Sequence, residues 1–400
     1  MPLPPMESAL TQRLQSAIAA APDYRITFAE FMDWALYDPQ AGYYSASARQ
    51  LGPQGDFITA AHLGHDFGEL LGEQLAEMWH HLDCPTPFDI VELGPGQGLI
   101  AADVLNQLAR QHPQCLPAVR YTLVERSPAL MAMQQQRLAP WQRQGCEIRW
   151  CDLSEIAPDA VEGCIFSNEW VDALPVHRVV LTEVGLQEQY VTLGSTPDRP
   201  FAFTLGPLSD PAIADDLAMV GVQIAPPAYP LGYTTEVNLA ALDGLAQLAR
   251  RLRRGYLLTV DYGYPAHRYY APSRSQGTLQ CYWQQRHHDD PLYAVGQQDI
   301  TAHVDFTALE RQGERCGLTT LGFTQQGLFL MALGLGDRLS AIAQAKTADI
   351  NQALRRRDAL HRLIDPTGLG NFGVLVQGKG LDAAVHKPLK GWAVPPLTLV

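Results

Sequence analysis

Apolar positions in the first 85 residues recur at helical spacing. Leu10, Leu14, Ala17 and Ile18 share one face. Phe28, Phe31, Met32, Ala35 and Leu36 repeat the pattern behind Thr27 and Glu30, which are spaced as a capping box. Asp38-Pro39 stops that helix, and Phe67, Leu70, Leu71, Leu75 and Met78 mark a third. The pattern predicts a helical N-terminal extension over 1–85, broken by a glycine-rich stretch at 52–56.

The rhythm changes from residue 86. Short apolar runs at 88–93, 121–125, 147–152, 164–167 and 256–261 read as buried strands, with helical stretches among them. Ser127-Pro128 opens one helix, with proline at its first position, and 238–252 reads as another. Strands alternating with helices predict an α/β fold on a doubly wound parallel sheet. Residues 86–176 are the first part of that core and 234–323 the second. Between them, 177–193 alternates like a β-hairpin (Val179, Leu181, Tyr190, Val191, Leu193), and the Pro- and Gly-rich 195–233 reads as a long loop. The two together make an insertion over 177–233. Runs at 318–323 and 374–376 predict two more strands, separated by a helical insertion over 324–370. Residues 371–400 carry the final strand and a tail.

Composition narrows the function classes. Of 400 residues, 46% are hydrophobic and 18% charged, a globular mixture. Lys plus Arg number 29 and Asp plus Glu 42, a net charge of −13. That balance argues against a nucleic-acid partner, whose phosphates need Lys and Arg, and suits a cationic ligand or basic protein. No apolar run approaches the ~20 residues of a membrane helix, so no membrane partner is expected. The start lacks the basic end and apolar block of a secretory signal. Seven scattered cysteines without a Cys-x-x-Cys point to a reduced, cytoplasmic compartment and to no bound metal. His80-His81 and His287-His288-Asp289-Asp290 read as solvated clusters.

The candidate chemistry sits at strand ends. Glu92-Leu93-Gly94-Pro95-Gly96-Gln97-Gly98 is a strand-to-helix turn whose spacing is Gly-x-Gly-x-Gly, not the Gly-x-Gly-x-x-Gly of dinucleotide sites. An acid two residues before the first glycine suits a ligand with sulfonium and ammonium charges, namely S-adenosylmethionine. Glu125 closes the second strand, where a carboxylate can accept ribose hydroxyls, and Asp152 closes the third, near an adenine amino group. Each acid alone reads equally as a helix cap. At the fourth strand end, Asn168 can accept an amino hydrogen. Glu169 and Asp172 can pair with a guanidinium fork, although Asp172 also reads as a helix cap.

At these residues the sequence resembles the MidA-like class I methyltransferase family, whose members include a mitochondrial protein arginine methyltransferase. The blocks are Ile26–Met32, Tyr37-Asp38-Pro39, Gly42-Tyr43-Tyr44, Gly55-Asp56-Phe57-Ile58-Thr59, the glycine turn, Asn168-Glu169, Asp172–Pro175, Asp261-Tyr262-Gly263 and Asp299–Phe306. They run in family order across most of the chain. The resemblance implies a seven-stranded class I core with a helical extension, S-adenosylmethionine as cofactor, and a protein substrate with an exposed arginine. It implies cofactor roles for Gly55, Asp56 and Thr59 beside Glu92, Gly94, Gly96, Gly98, Glu125, Asp152 and Asn168. One departure stands out. Similar sequences follow the Gly-Asp-Phe-x-Thr block with a small residue, proline and an acid, whereas this chain has Ala60-Ala61-His62.

The reaction expected is an in-line displacement at a methyl carbon, in which alignment and exclusion of water matter most. Carboxylates beside a guanidinium localise its charge and free the attacking nitrogen. Glu169 is the first choice, Glu236 the second and Asp172 the third. The guanidinium pKa exceeds about 12, so a base is needed only late. His303 can serve as that base or can satisfy backbone groups at a helix start. Two rival readings stay open: a cofactor-binding assembly factor without transfer activity, and a small-molecule N- or O-methyltransferase.

Overall fold

A computed structural model of the chain describes residues 8–46, 59–283, 286–344, 349–381 and 388–393. The chain forms two compact units, each assembled from separate stretches. The first comprises Met1–Phe57, Val171–Gly244 and Gly263–Arg311; the second comprises Ile58–Trp170, Leu245–Tyr262 and Gln312–Val400. These boundaries cut across the segments expected from sequence. The helical region before residue 86 is divided, and residues 263–311, expected in the second part of the core, fall in the first unit.

The second unit is built on a seven-stranded sheet. Its strands, numbered within this sheet in chain order, are β1 Phe88–Leu93, β2 Val119–Val124, β3 Glu147–Cys151, β4 Val161–Asn168, β5 Leu252–Asp261, β6 Thr319–Gln325 and β7 Gly373–Lys379. The spatial order is β6-β7-β5-β4-β1-β2-β3. Pairings among β1 to β5 are parallel, whereas β7 runs antiparallel to both β5 and β6. The sheet is therefore mixed, which corrects the expectation of a purely parallel one. The register explains it: Gln325 at the end of β6 lies opposite Gly373 at the start of β7. The helices between them, Gln326–Ala332, Leu335–Gln344 and Ile350–Ile364, thus leave and rejoin the sheet at one edge.

Strands β1 and β4 are buried along nearly their whole length, as strands covered on both faces must be. Helices Asp66–His81 and Leu99–Gln111 pack together here, and Leu71, Leu75, Val104, Leu105, Ile90, Phe166 and Leu258 share one core. Helix Pro128–Arg143 begins at a Ser127 cap with Pro128 in its first turn, as the sequence predicts.

The first unit holds a five-stranded antiparallel sheet. Arg25–Thr27 pairs with Gly185–Thr196, which pairs with His177–Thr182, then Thr234–Val237; Arg199–Gly206 lies on the other side of Gly185–Thr196. The hairpin read from alternation is present. The long loop is not: 195–233 contains strand Arg199–Gly206 and helix Ala212–Met219. Pro200 obscures the strand in the sequence but is tolerated, because among the described residues this strand pairs on one side only. The helix is only eight residues long, too short for a clear period. Helix Phe28–Tyr37 starts with the expected capping box, Thr27 and Glu30 bonding reciprocally. Its buried residues are the five expected ones, packed with Val191 and Phe201.

Candidate active site

In the second unit the strand order reverses between β1 and β4. Open α/β sheets bind ligands outside the carboxyl ends of their strands at such a point, because loops diverge there to opposite faces. β1 runs into the glycine turn and β4 into Asn168-Glu169.

Gly94, Gly96 and Gly98 all adopt left-handed backbone, with φ of 58°, 52° and 72°. A Cβ on Gly94 would lie 2.8 Å from the Trp170 ring, and one on Gly98 would lie 3.2 Å from Gln134. On Gly96 it would meet nothing within 4 Å among the described residues. The middle of the turn therefore borders open space, where a ligand can approach the backbone.

Gln134 fixes the turn. Its Nε2 donates to the Gly96 carbonyl at 2.7 Å and to Glu125 Oε2 at 3.1 Å, and its Oε1 accepts from Trp150 Nε1 at 2.9 Å. Arg137 Nε donates to the Gln97 carbonyl at 2.9 Å. Glu125 follows β2 and also accepts from the Ser127 N–H at 2.8 Å. Burial raises its pKa against those hydrogen bonds. Asp152 follows β3 and accepts from Ser154 N and Oγ at 2.8 and 2.7 Å, capping the turn Leu153–Glu155. These bonds hold its pKa below the ordinary carboxylate value.

Glu92 departs from expectation. It is buried, accepts a 2.7 Å hydrogen bond from Tyr121, and burial pushes its pKa up to about 8. Burial thus favours its protonated form, because the acid sits within the strand, where desolvation outweighs the tyrosine bond.

At the end of β4, Glu169 adopts φ of 52°, a conformation rare for a residue with a side chain. Its N–H is fixed to the Val260 carbonyl at 2.9 Å. Its Oε1 accepts from Asn168 Nδ2 at 3.1 Å and from the Ala60 N–H at 3.3 Å. Asn168 Oδ1 is buried and has no hydrogen-bond partner among the described residues. Asp261, at the end of β5, accepts from the N–H groups of Trp170 and Tyr262 and so steadies this corner. Thr59 Oγ1 lies 2.8 Å from His62 Nδ1. Gly55 and Asp56 lie outside the described residues. Thr59, the glycine turn, Glu125, Asp152, Asn168 and Glu169 thus all belong to the second unit.

Asp172, Glu236 and His303 belong to the first unit. Asp172 is buried; burial first, then the charges of Asp299 and Asp172, raise the pKa of Tyr44, whose hydroxyl donates to Asp299 at 2.9 Å. Glu236 is fully buried; it accepts from Thr278 N and Oγ1 at 2.6 and 3.0 Å and lies 3.6 Å from Arg178 Nε. Thr278 and Arg178 thus enclose its carboxylate. His303 packs edge-on against Tyr264, and its N–H donates to Thr278 Oγ1 at 3.2 Å. Burial and Arg274 lower its pKa to about 4, which makes it a poor proton acceptor. The helix start that follows is capped by Asp305, whose Oδ1 accepts from the Thr307 and Ala308 N–H groups at 2.9 and 3.3 Å.

Gln134, Trp170, Asp261 and Asp299 were not singled out as site residues from sequence. Gln134 does leave a trace: it stands four residues from both Leu130 and Leu138, a polar residue on the buried face of its helix.

The pattern of the S-adenosyl-L-methionine-dependent methyltransferase family matches residues 70–324. The chain belongs to this family. It is similar to the mitochondrial protein arginine methyltransferase NDUFAF7 homolog of Drosophila melanogaster, 30% identical over 383 residues, covering 90% of this chain and 83% of the relative. Against the Homo sapiens NDUFAF7 the identity is 30% over 392 residues, covering 90% and 82%. Among solved structures, a COG1565 superfamily member from Burkholderia thailandensis bound to S-adenosyl-homocysteine is 31% identical, with a TM-score of 0.83 and 98% of each chain covered. The resemblance to MidA-like methyltransferases and the α/β methyltransferase fold are thereby borne out, and S-adenosylmethionine is the cofactor. No described helix is long and apolar enough to cross a membrane.

Proposed function

We propose that this methyltransferase acts on an arginine side chain of a protein, through a doubly wound class I cofactor domain. The relatives named as protein arginine methyltransferases support the substrate class. The strand order, with one antiparallel strand between β5 and β6, supports the class I reading. The observation that carries the acceptor role is Glu169: a carboxylate on a left-handed backbone at the switch point, oriented by Asn168 and Ala60. Such strain persists only where the surroundings enforce it.

The cofactor fits the residues present. In this reading Glu125 takes the ribose hydroxyls, the open side of Gly96 admits the ligand against the backbone, and the unpartnered Asn168 Oδ1 accepts an amino hydrogen. S-adenosylmethionine supplies a methyl group already activated on a sulfonium. Glu169 holds the guanidinium at its far nitrogens, concentrating positive charge there and leaving the third nitrogen free to attack. The pull of Asn168 and Ala60 on one oxygen keeps the carboxylate from turning away.

The test is Glu169→Gln. Calorimetry should find S-adenosylhomocysteine binding within twofold of wild type, while methyl incorporation into arginine of lysate proteins falls roughly a hundredfold. Transfer at the wild-type rate would remove Glu169 from the mechanism. Binding without transfer to any lysate protein would favour the assembly-factor reading, and labelled metabolites without labelled protein the small-molecule one.

A further inference from the structure

His62 lies in the turn Ala60–Leu63, where the chain departs from the pattern of similar sequences. The turn is tied to the switch point, because the Ala60 N–H donates to Glu169 Oε1 at 3.3 Å. It also packs against helix Leu99–Gln111, which springs from the glycine turn. Within it, Nδ1 of His62 lies 2.8 Å from Thr59 Oγ1, which holds the ring plane. The other ring nitrogen, Nε2, is buried and has no hydrogen-bond partner among the described residues. A buried ring nitrogen left unbonded is costly, and a ligand group is one way to satisfy it. The charge acting on the ring is the Arg137 guanidinium, whose own Nε holds the Gln97 carbonyl of the glycine turn.

We propose that His62 is a cofactor-binding residue whose Nε2 takes the carboxylate of the cofactor's amino-acid end, with Arg137 supplying positive potential. The inference rests on the methyltransferase reading and adds a recognition group to it. Thr59 sets the tautomer: when its hydroxyl donates to Nδ1, the proton resides on Nε2, which then faces the ligand as a donor. The neighbouring cation suits an anionic ligand group and disfavours the cofactor's ammonium at this spot.

Calorimetry with three ligands separates the possibilities: S-adenosylhomocysteine, its decarboxylated analogue, and 5′-methylthioadenosine, which lacks the amino-acid end. In His62→Ala, affinity for S-adenosylhomocysteine should fall about tenfold, the loss of one hydrogen bond to a charged group. Affinity for the other two should stay within twofold, and that retained binding shows that the variant is folded. His62→Gln, which keeps a donor, should recover part of the loss. Equal weakening for all three ligands, or unchanged affinity for S-adenosylhomocysteine, overturns the assignment while leaving the methyltransferase reading intact. Failure of the wild-type protein to bind any of the three overturns both.

Discussion

The side-chain amide of Gln134 donates to the backbone carbonyl of Gly96 at 2.7 Å. One helix residue thereby sets the shape of the turn against which the cofactor must lie. The same amide group reaches Glu125 and Trp150, so three surrounding groups depend on it. In Gln134→Ala the Gly96 carbonyl, one Glu125 oxygen and the indole N–H all lose a partner. An unsatisfied buried group costs ~1–3 kcal/mol, and water can reach some of these. We expect a loss of about 2–4 kcal/mol in chemical denaturation, together with weaker cofactor binding. A stability change under about 0.5 kcal/mol, the ordinary range for surface substitutions, would falsify this account of the turn.

Gly96 and Gly98 separate ligand space from folding space. Both need left-handed backbone, so alanine costs ~1–2 kcal/mol at either. At Gly98 the added carbon also presses on Gln134, whereas at Gly96 it faces nothing within 4 Å. Gly98→Ala should therefore destabilise more than Gly96→Ala in thermal melts. A bulky Gly96→Val should abolish S-adenosylhomocysteine binding and destabilise more than Gly96→Ala, because a β-branched residue fits left-handed backbone worst.

Glu92 gives stability a pH dependence. Its pKa rises from 4.5 in the ordinary state to about 8 in the fold, so the folded protein holds a proton that the unfolded chain releases between those values. The associated stability is fully present below pH about 4.5 and is lost as pH rises through about 8. Glu92→Gln keeps a neutral group that can still meet the Tyr121 hydroxyl. Relative to wild type, this variant should gain roughly 2–4 kcal/mol between pH 5 and pH 9. Parallel pH–stability curves for the two proteins would show that Glu92 ionises normally.

Asp66, near the start of its helix, is held by two cations. Arg356 bonds it through Nε and Nη2 at 2.9 and 2.7 Å, and Arg338 adds a third bond at 2.7 Å. These arginines pull its pKa down despite burial. Breaking a buried pair from one side costs about 3–5 kcal/mol, and partial exposure of Arg356 places Asp66→Asn toward the lower end. The depressed pKa means this stabilisation is present above the ordinary carboxylate range and fades as pH falls through the folded value. The gap between wild type and Asp66→Asn should narrow in acid; a constant gap down to pH 2 would contradict the ion-pair account.

Local pattern reveals most of the framework. The strands of the large sheet read as apolar runs because both faces are covered, and Thr27, Glu30, Ser127 and Pro128 mark helix starts by chemistry that acts within a few residues. What stayed hidden is set by distant neighbours. Strand Arg199–Gly206 depends on its partner Gly185–Thr196 to accommodate Pro200 at an edge. The charge state of Glu92 depends on the desolvation around it, and the enclosure of Glu236 on Thr278 and Arg178. Candidate acids could be counted from the sequence, but which remain ionised at neutral pH could not.

Strand β7, made from the latest stretch of sequence in its sheet, fits between β5 and β6 and bonds both. Until residues 373–379 emerge from the ribosome, β5 lacks one of its neighbours and β6 lacks the strand that joins it to the sheet. A nascent chain stalled before that point would present sticky edges to its neighbours. Chaperone capture should therefore peak for translation intermediates ending between residues 325 and 373 and drop once the wedge is seated.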